Sequence, residues 1–216
     1  MNRIITLTVS MVVLLFACSL TSTKSDNPYF EGKISYDYDF IIKDTTRKTL
    51  FFKTLYPTKS VLTFKDGNSI EEYEGGESIY DLYIVNQNKF YTKRNPSDTL
   101  FWFDCGGPGE EILSMKVNSN NENILGIKCN ELLITYKKKT VTYWYNQDTL
   151  KINPDWFKRL TYTNRDITSK KVGAICLKVK VEYPDYILMQ TATSISIEKI
   201  NSEVLTLPAN AVLVKD

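Results

Sequence analysis

Residues 30–42 read Phe-Glu-Gly-Lys-Ile-Ser-Tyr-Asp-Tyr-Asp-Phe-Ile-Ile, and their alternation decides the fold class. The even positions are Phe30, Gly32, Ile34, Tyr36, Tyr38, Phe40 and Ile42. The odd positions between them are Glu31, Lys33, Ser35, Asp37, Asp39 and Ile41. Successive side chains on a strand point to opposite faces, so this period of two predicts a strand with one dry and one wet face. The run is long beside the usual strand of about 5–6 residues, which points to a large, curved sheet.

Working outward, Ile175, Leu177, Val179 and Val181 alternate with Cys176, Lys178, Lys180 and Glu182. A less regular alternation follows over Ile187 to Glu198. Tyr183-Pro184-Asp185-Tyr186 between them reads as a hairpin turn, because proline fixes φ and aspartate bonds its own backbone. Further strands are expected at Ser60 to Lys65, Ile79 to Val85, Lys89 to Arg94, Thr99 to Asp104, Glu131 to Lys137 and Thr140 to Asn146. Asp66-Gly67, Gly75-Gly76 and Asn86 to Asn88 supply turns. Asn153-Pro154-Asp155 reads as a helix start of a turn or two, with an asparagine cap and proline at the first helical position. Residues 44–57 carry no pattern that places them. The expected architecture is mainly β: one antiparallel sheet with one or two short helices.

The N-terminus carries a different signal. Arg3 is followed by a largely apolar stretch from Ile4 to Phe16, too short for the roughly 20 residues of a membrane span and suited to a secretory signal. It ends in Leu15-Phe16-Ala17-Cys18, which resembles a bacterial lipobox. The reading is therefore a signal peptide at 1–17, a lipidated Cys18 opening a tether over 18–28, and a folded part at 29–216. An ordinary cleaved signal, or a short membrane anchor, with an incidental Cys18 is the alternative. Two or three acyl chains on one cysteine hold a protein on a membrane without a spanning helix. The location expected is the cell envelope, with the outer membrane preferred over the inner.

Composition narrows the chemistry. Twenty-seven basic residues against 25 acidic ones give a formal charge of +2, so nothing marks a nucleic-acid surface. Lys137-Lys138-Lys139 reads as a solvated turn. Histidine is absent, which excludes the usual Ser-His-Asp and Cys-His catalytic sets and removes the commonest zinc ligand. Cys105, Cys129 and Cys176 match no metal-site spacing, and no cofactor is indicated. In an oxidising compartment one disulfide is plausible among three pairings. Cys105 with Cys129 is preferred, because Gly106-Gly107-Pro108-Gly109 and Asn118 to Asn123 let the chain turn back. Glu71-Glu72-Glu74 and Glu110-Glu111 read as solvated loops, and Cys176 as a structural cysteine sharing a face with Lys178 and Lys180.

The second half carries a resemblance. Asn123-Ile124-Leu125-Gly126-Ile127-Lys128-Cys129, then Thr142-Tyr143-Trp144-Tyr145, Ile152-Asn153-Pro154 and Val204-Leu205-Thr206-Leu207-Pro208 resemble exported Bacteroidota proteins of a domain family of unknown function, DUF4412. The opening Tyr29-Phe30-Glu31-Gly32-Lys33-Ile34 fits the same pattern. The passage is also similar to the related GLPGLI family, whose signature string this chain lacks. The resemblance implies the LolA and LolB lipoprotein-carrier fold, an incomplete barrel whose concave face can hold acyl chains.

On that implication, Ile34, Tyr36, Tyr38 and Phe40 of the first strand, with Leu177 and Val179 of the late one, are candidate ligand-binding residues. The competing reading has these side chains filling a core. The function expected is a non-enzymatic, membrane-anchored protein binding a lipid or the acyl chains of another lipoprotein. An envelope scaffold with a filled core, working through a protein partner, is the second reading.

Overall fold

The computed structural model describes residues 27–216; the expected signal peptide, Cys18 and nearly all of the expected tether lie outside them. Twelve strands form one curved, open sheet. The first meander is β1 (Gly32–Ile42), β2 (Lys59–Lys65), β3 (Asn68–Glu74), β4 (Ser78–Ile84), β5 (Lys89–Arg94) and β6 (Thr99–Asp104). The second is β7 (Ile112–Ile124), β8 (Ile127–Tyr136), β9 (Thr140–Tyr145), β10 (Cys176–Glu182) and β11 (Tyr186–Ile197). The two meet where β1 pairs antiparallel with β11, a seam that joins the start of the folded chain to a strand near its end. A short β12 (Val212–Lys215) adds in parallel to β6 and forms one edge.

The curl follows from chain length. β6 and β7 stand ten places apart in the sheet order, which is about 48 Å across a flat sheet. The connection from Asp104 to Ile112 reaches at most about 28 Å when fully extended. The sheet must therefore bend until its far strands approach, and residues 105–111 become a strap across the gap. Gly106-Gly107-Pro108-Gly109 is part of that strap.

The segment between β9 and β10 crosses the concave side. It contains the 3-10 turn Pro154–Phe157, capped by Asn153 as the sequence predicts, and the helix α2 (Arg165–Val172). Leu150, Ile152, Phe157 and Leu160 sink into the sheet against Ile34, Phe64, Tyr83, Trp144 and Leu177. This crossing segment is tied to the strap: Thr161 Oγ1 donates to the Gly107 carbonyl (2.7 Å), and Asn164 Nδ2 to that of Glu110 (2.8 Å). On the convex side Leu82, Ile84 and Tyr91 are covered in part by Leu207.

Residues 44–57, unplaced from sequence, hold the helix α1 (Arg47–Leu55). Thr46 caps it by accepting from the Thr49 N–H, and Thr49 returns the bond to the Thr46 N–H. It stops at Tyr56 because a residue before proline avoids helical backbone, and Pro57 follows. Only Thr49 of this helix is buried, so no apolar stripe announced it.

Three expectations need correction. Cys105, Cys129 and Cys176 are all free and buried, so the Cys105–Cys129 disulfide is not formed. Residues 118–123 do not turn back but lie within β7, and the chain reverses at Leu125-Gly126, both in left-handed backbone. Each thiol faces its own strand: Cys129 Sγ donates to the Ile127 carbonyl (3.4 Å), and Cys105 Sγ lies 4.0 Å from that of Phe103. Cys176, next, leaves the face of Lys178 and Lys180, because a β-bulge interrupts the register between Cys176 and Lys178. Finally, Lys139 and Glu110 are not simply solvated; they pair at 2.8 Å, with the remaining Lys137 and Lys138 exposed.

Candidate functional site: a cavity with an acidic floor

Between the crossing segment and the first meander lies a cavity of about 330 Å³, inside the range typical of small-ligand sites. Register builds its floor. Tyr36 stands opposite Ser60, and Ser60 opposite Tyr73. In the next inward row Ile34, Leu62, Glu71, Asp81 and Thr92 follow one another across five strands. Tyr38 faces Gln190, which faces Val179. Phe64, Tyr83, Phe90 and Phe157 complete the aromatic wall. A second hollow of about 540 Å³ adjoins it, sharing Thr163 and Val179, and is lined by Tyr136, Val141, Tyr143 and Tyr183.

Glu71 is the feature the sequence reading missed. It is part-buried and lines the cavity. Three donors converge on its Oε1: the Ser60 hydroxyl (2.6 Å), the Tyr38 hydroxyl (2.8 Å) and Gln190 Nε2 (2.8 Å). Burial pushes its pKa up, outweighing the Ser60 and Tyr38 bonds that favour the charge, and neighbouring Asp81 adds to the rise. Asp81 takes the Thr92 hydroxyl on one oxygen (2.7 Å) and the Tyr73 hydroxyl on the other (3.0 Å). Burial raises its pKa too, against those hydrogen bonds and the favourable charge of Arg94. Neither carboxyl is in an ion pair among the described residues.

Across the cavity, α2 presents Arg165. Its guanidinium sits 5.1 Å from the centre of the Phe157 ring, and its charge favours the thiolate form of Cys176. The thiol itself is pushed up to about 11, chiefly by burial, with Arg165 opposing, which favours its protonated form at neutral pH. The Tyr36 hydroxyl donates to the Cys176 carbonyl (2.9 Å), locking β1 to β10 behind the cavity.

The candidate residues divide. Tyr36 and Val179 line the cavity, and Tyr38 reaches it through Glu71. Ile34 and Leu177 are fully buried at 0% exposure and form the packed layer beneath. Phe40 stacks on Tyr186 (4.7 Å) and leans on Tyr56 (5.3 Å), away from the cavity. Glu72 and Glu74 are solvated as expected; only Glu71 turns inward.

The raised carboxyls make a prediction about stability. Between the ordinary value of 4.5 and the higher folded-state pKa of Glu71, the folded protein holds a proton that the unfolded chain releases. Stability should therefore fall as the pH rises through that window. Glu71→Gln keeps an acceptor for all three donors and carries no charge. The drop in melting temperature from about pH 5 to about pH 8 should be smaller in this variant than in the wild type. Equal drops in the two proteins would place the pH dependence elsewhere. Glu31 and Glu182, whose pKa values are lowered, act in the opposite sense and only below 4.5.

No family model and no curated protein matches this chain. Among solved structures it is similar to PNGF-II in C2 crystals, with a TM-score of 0.48 and 12% identity over 87% of this chain. The chain spans about a third (31%) of the PNGF-II chain. It has a weaker similarity to the Mycobacterium tuberculosis lipoprotein LppX, with a TM-score of 0.34 and 10% identity over 79% of this chain and 89% of that one. At this level the likenesses say nothing of ligand or activity.

Proposed function

We propose that this protein is a non-enzymatic binding protein of the cell envelope, anchored through an acylated Cys18, that takes a hydrophobic ligand into its concave cavity. The observation that carries the reading is the cavity itself: about 330 Å³ of space walled by aromatic and aliphatic side chains, running on into a second hollow. A packed core has few voids larger than a water molecule, so a space of this size is a candidate ligand site. The N-terminal lipobox reading supplies the membrane. A lipid or an acyl chain is the ligand class that such a position and such walls suit.

The test uses the full chain with Cys18→Ser, exported to a periplasm and purified without detergent. Native mass spectrometry should find a discrete adduct that resolves to phospholipid or fatty acid. A clean apo mass, with no later uptake of a fluorescent fatty acid, would overturn the reading in favour of an envelope scaffold. In the unaltered chain, an alkyne-tagged fatty acid fed to the cells should label the protein, and labelling should vanish with Cys18→Ser.

A further inference from the structure

We propose that the ligand in this cavity carries a protonated amine, seated against the Glu71 carboxyl and among the surrounding tyrosines. The inference rests on the hydrophobic-ligand reading and adds the chemistry of the head group.

Three features of the cavity converge on a cation. First, the hydrogen bonds around Glu71 are lopsided. Ser60, Tyr38 and Gln190 all donate to Oε1. Tyr73 also stands beside Glu71, but its one proton goes to Asp81 at 3.0 Å. Among the described residues Oε2 has no donor of its own, on a residue that lines the cavity. An ammonium head has three donors and fills that deficit.

Second, the charges do not balance. Two carboxyls, Glu71 on β3 and Asp81 on β4, share this space with one guanidinium, Arg165 on α2. Arg94 favours the charge of Asp81 from outside the cavity but is itself committed to Asp216 (2.6 Å) and near Glu77 (3.8 Å). An enclosed carboxylate without a cation is costly. One cation from the ligand would close the balance, and a second anion would worsen it.

Third, the wall is aromatic: Tyr36, Phe64, Tyr73, Tyr83 and Phe90 surround the acids. Ring faces attract cations, and enclosure by several rings is how ammonium groups are recognised in aromatic cages. An acyl chain alone would need the apolar wall but not the two acids. A carboxylate head directed at Arg165 would have to share the space with both.

The test compares decylamine, decanoic acid and decanol by isothermal titration at neutral pH, again on the full chain with Cys18→Ser. Decylamine should bind about tenfold tighter than decanol, which is the scale of a single desolvated cation–π or charge contact. Decanoic acid should bind most weakly. Glu71→Gln should bring the amine's affinity down to that of decanol measured on the same variant, and a cooperative thermal melt shows that the variant is folded. Tightest binding of decanoic acid, or an amine preference that survives Glu71→Gln, would overturn the inference while leaving the hydrophobic-ligand reading intact. If none of the three chains binds, the hydrophobic-ligand reading falls and the inference falls with it.

Discussion

Phe157→Ala should lower the free energy of unfolding by about 3–5 kcal/mol, the range for removing a buried phenylalanine. Phe157 is 4% exposed and meets the rings of Tyr83 (6.0 Å) and Phe64 (6.5 Å), so it pins the crossing segment to β2 and β4 together. The void it leaves opens into the existing cavity, where neighbouring side chains have little reason to collapse inward. Urea denaturation should show the shift in midpoint. A loss under about 1 kcal/mol would mean that the crossing segment lies on the sheet without stabilising it. The same variant enlarges the site, so a wider range of chain lengths should enter it.

Gly32→Ala is the second large effect expected, at about 3 kcal/mol, the upper end for forcing extra volume into a packed region. A Cβ at this position would lie 2.0 Å from the Ser196 carbonyl oxygen and 3.2 Å from the Ile197 Cα. Both contacts are backbone of β11, so no side-chain rotation relieves them. Gly32 lies on the seam between the two meanders, where β1 and β11 pair from Gly32 with Ile197 to Ile42 with Tyr186. Shifting one end strains a pairing that already absorbs a bulge near Ser35 and Tyr36. Thermal melting checks this: a Tm within a degree or so of wild type would show that the seam yields at little cost.

What could be read from sequence divides along burial. β1 was legible because Ile34 and Tyr36 face a packed interior while Lys33 and Asp37 face water. The Tyr183-Pro184-Asp185-Tyr186 turn and the Asn153 cap were legible because their chemistry is local. β3 was not, because its inward residues Ser69, Glu71 and Tyr73 are mostly polar, so both faces of Asn68–Glu74 look wet. A signal was present all the same: the two turns at Asp66-Gly67 and Gly75-Gly76 bracket a stretch of strand length. Read that way, alternation would have put Glu71 on the same face as Tyr73 and opposite to Glu72. The acidic floor stayed hidden because a single inward glutamate has the same letter as a solvated one; only its register partners tell them apart. α2 was obscured by its start, since Asn164 spends its side chain on the Glu110 carbonyl rather than on capping.

The three unpaired, buried thiols have a practical consequence. A thiol shut inside a folded protein meets an alkylating reagent only when its surroundings open, so its labelling rate measures a local opening equilibrium. Cys105 follows β6 at the start of the strap, Cys129 lies in β8, and Cys176 begins β10 behind the cavity. The protein thus contains three native clocks, set at separate places in one sheet and needing no introduced probe. Whichever runs fastest marks the part of the sheet that loosens first, and a clock at Cys176 slowed by ligand would report occupancy of the cavity beside it.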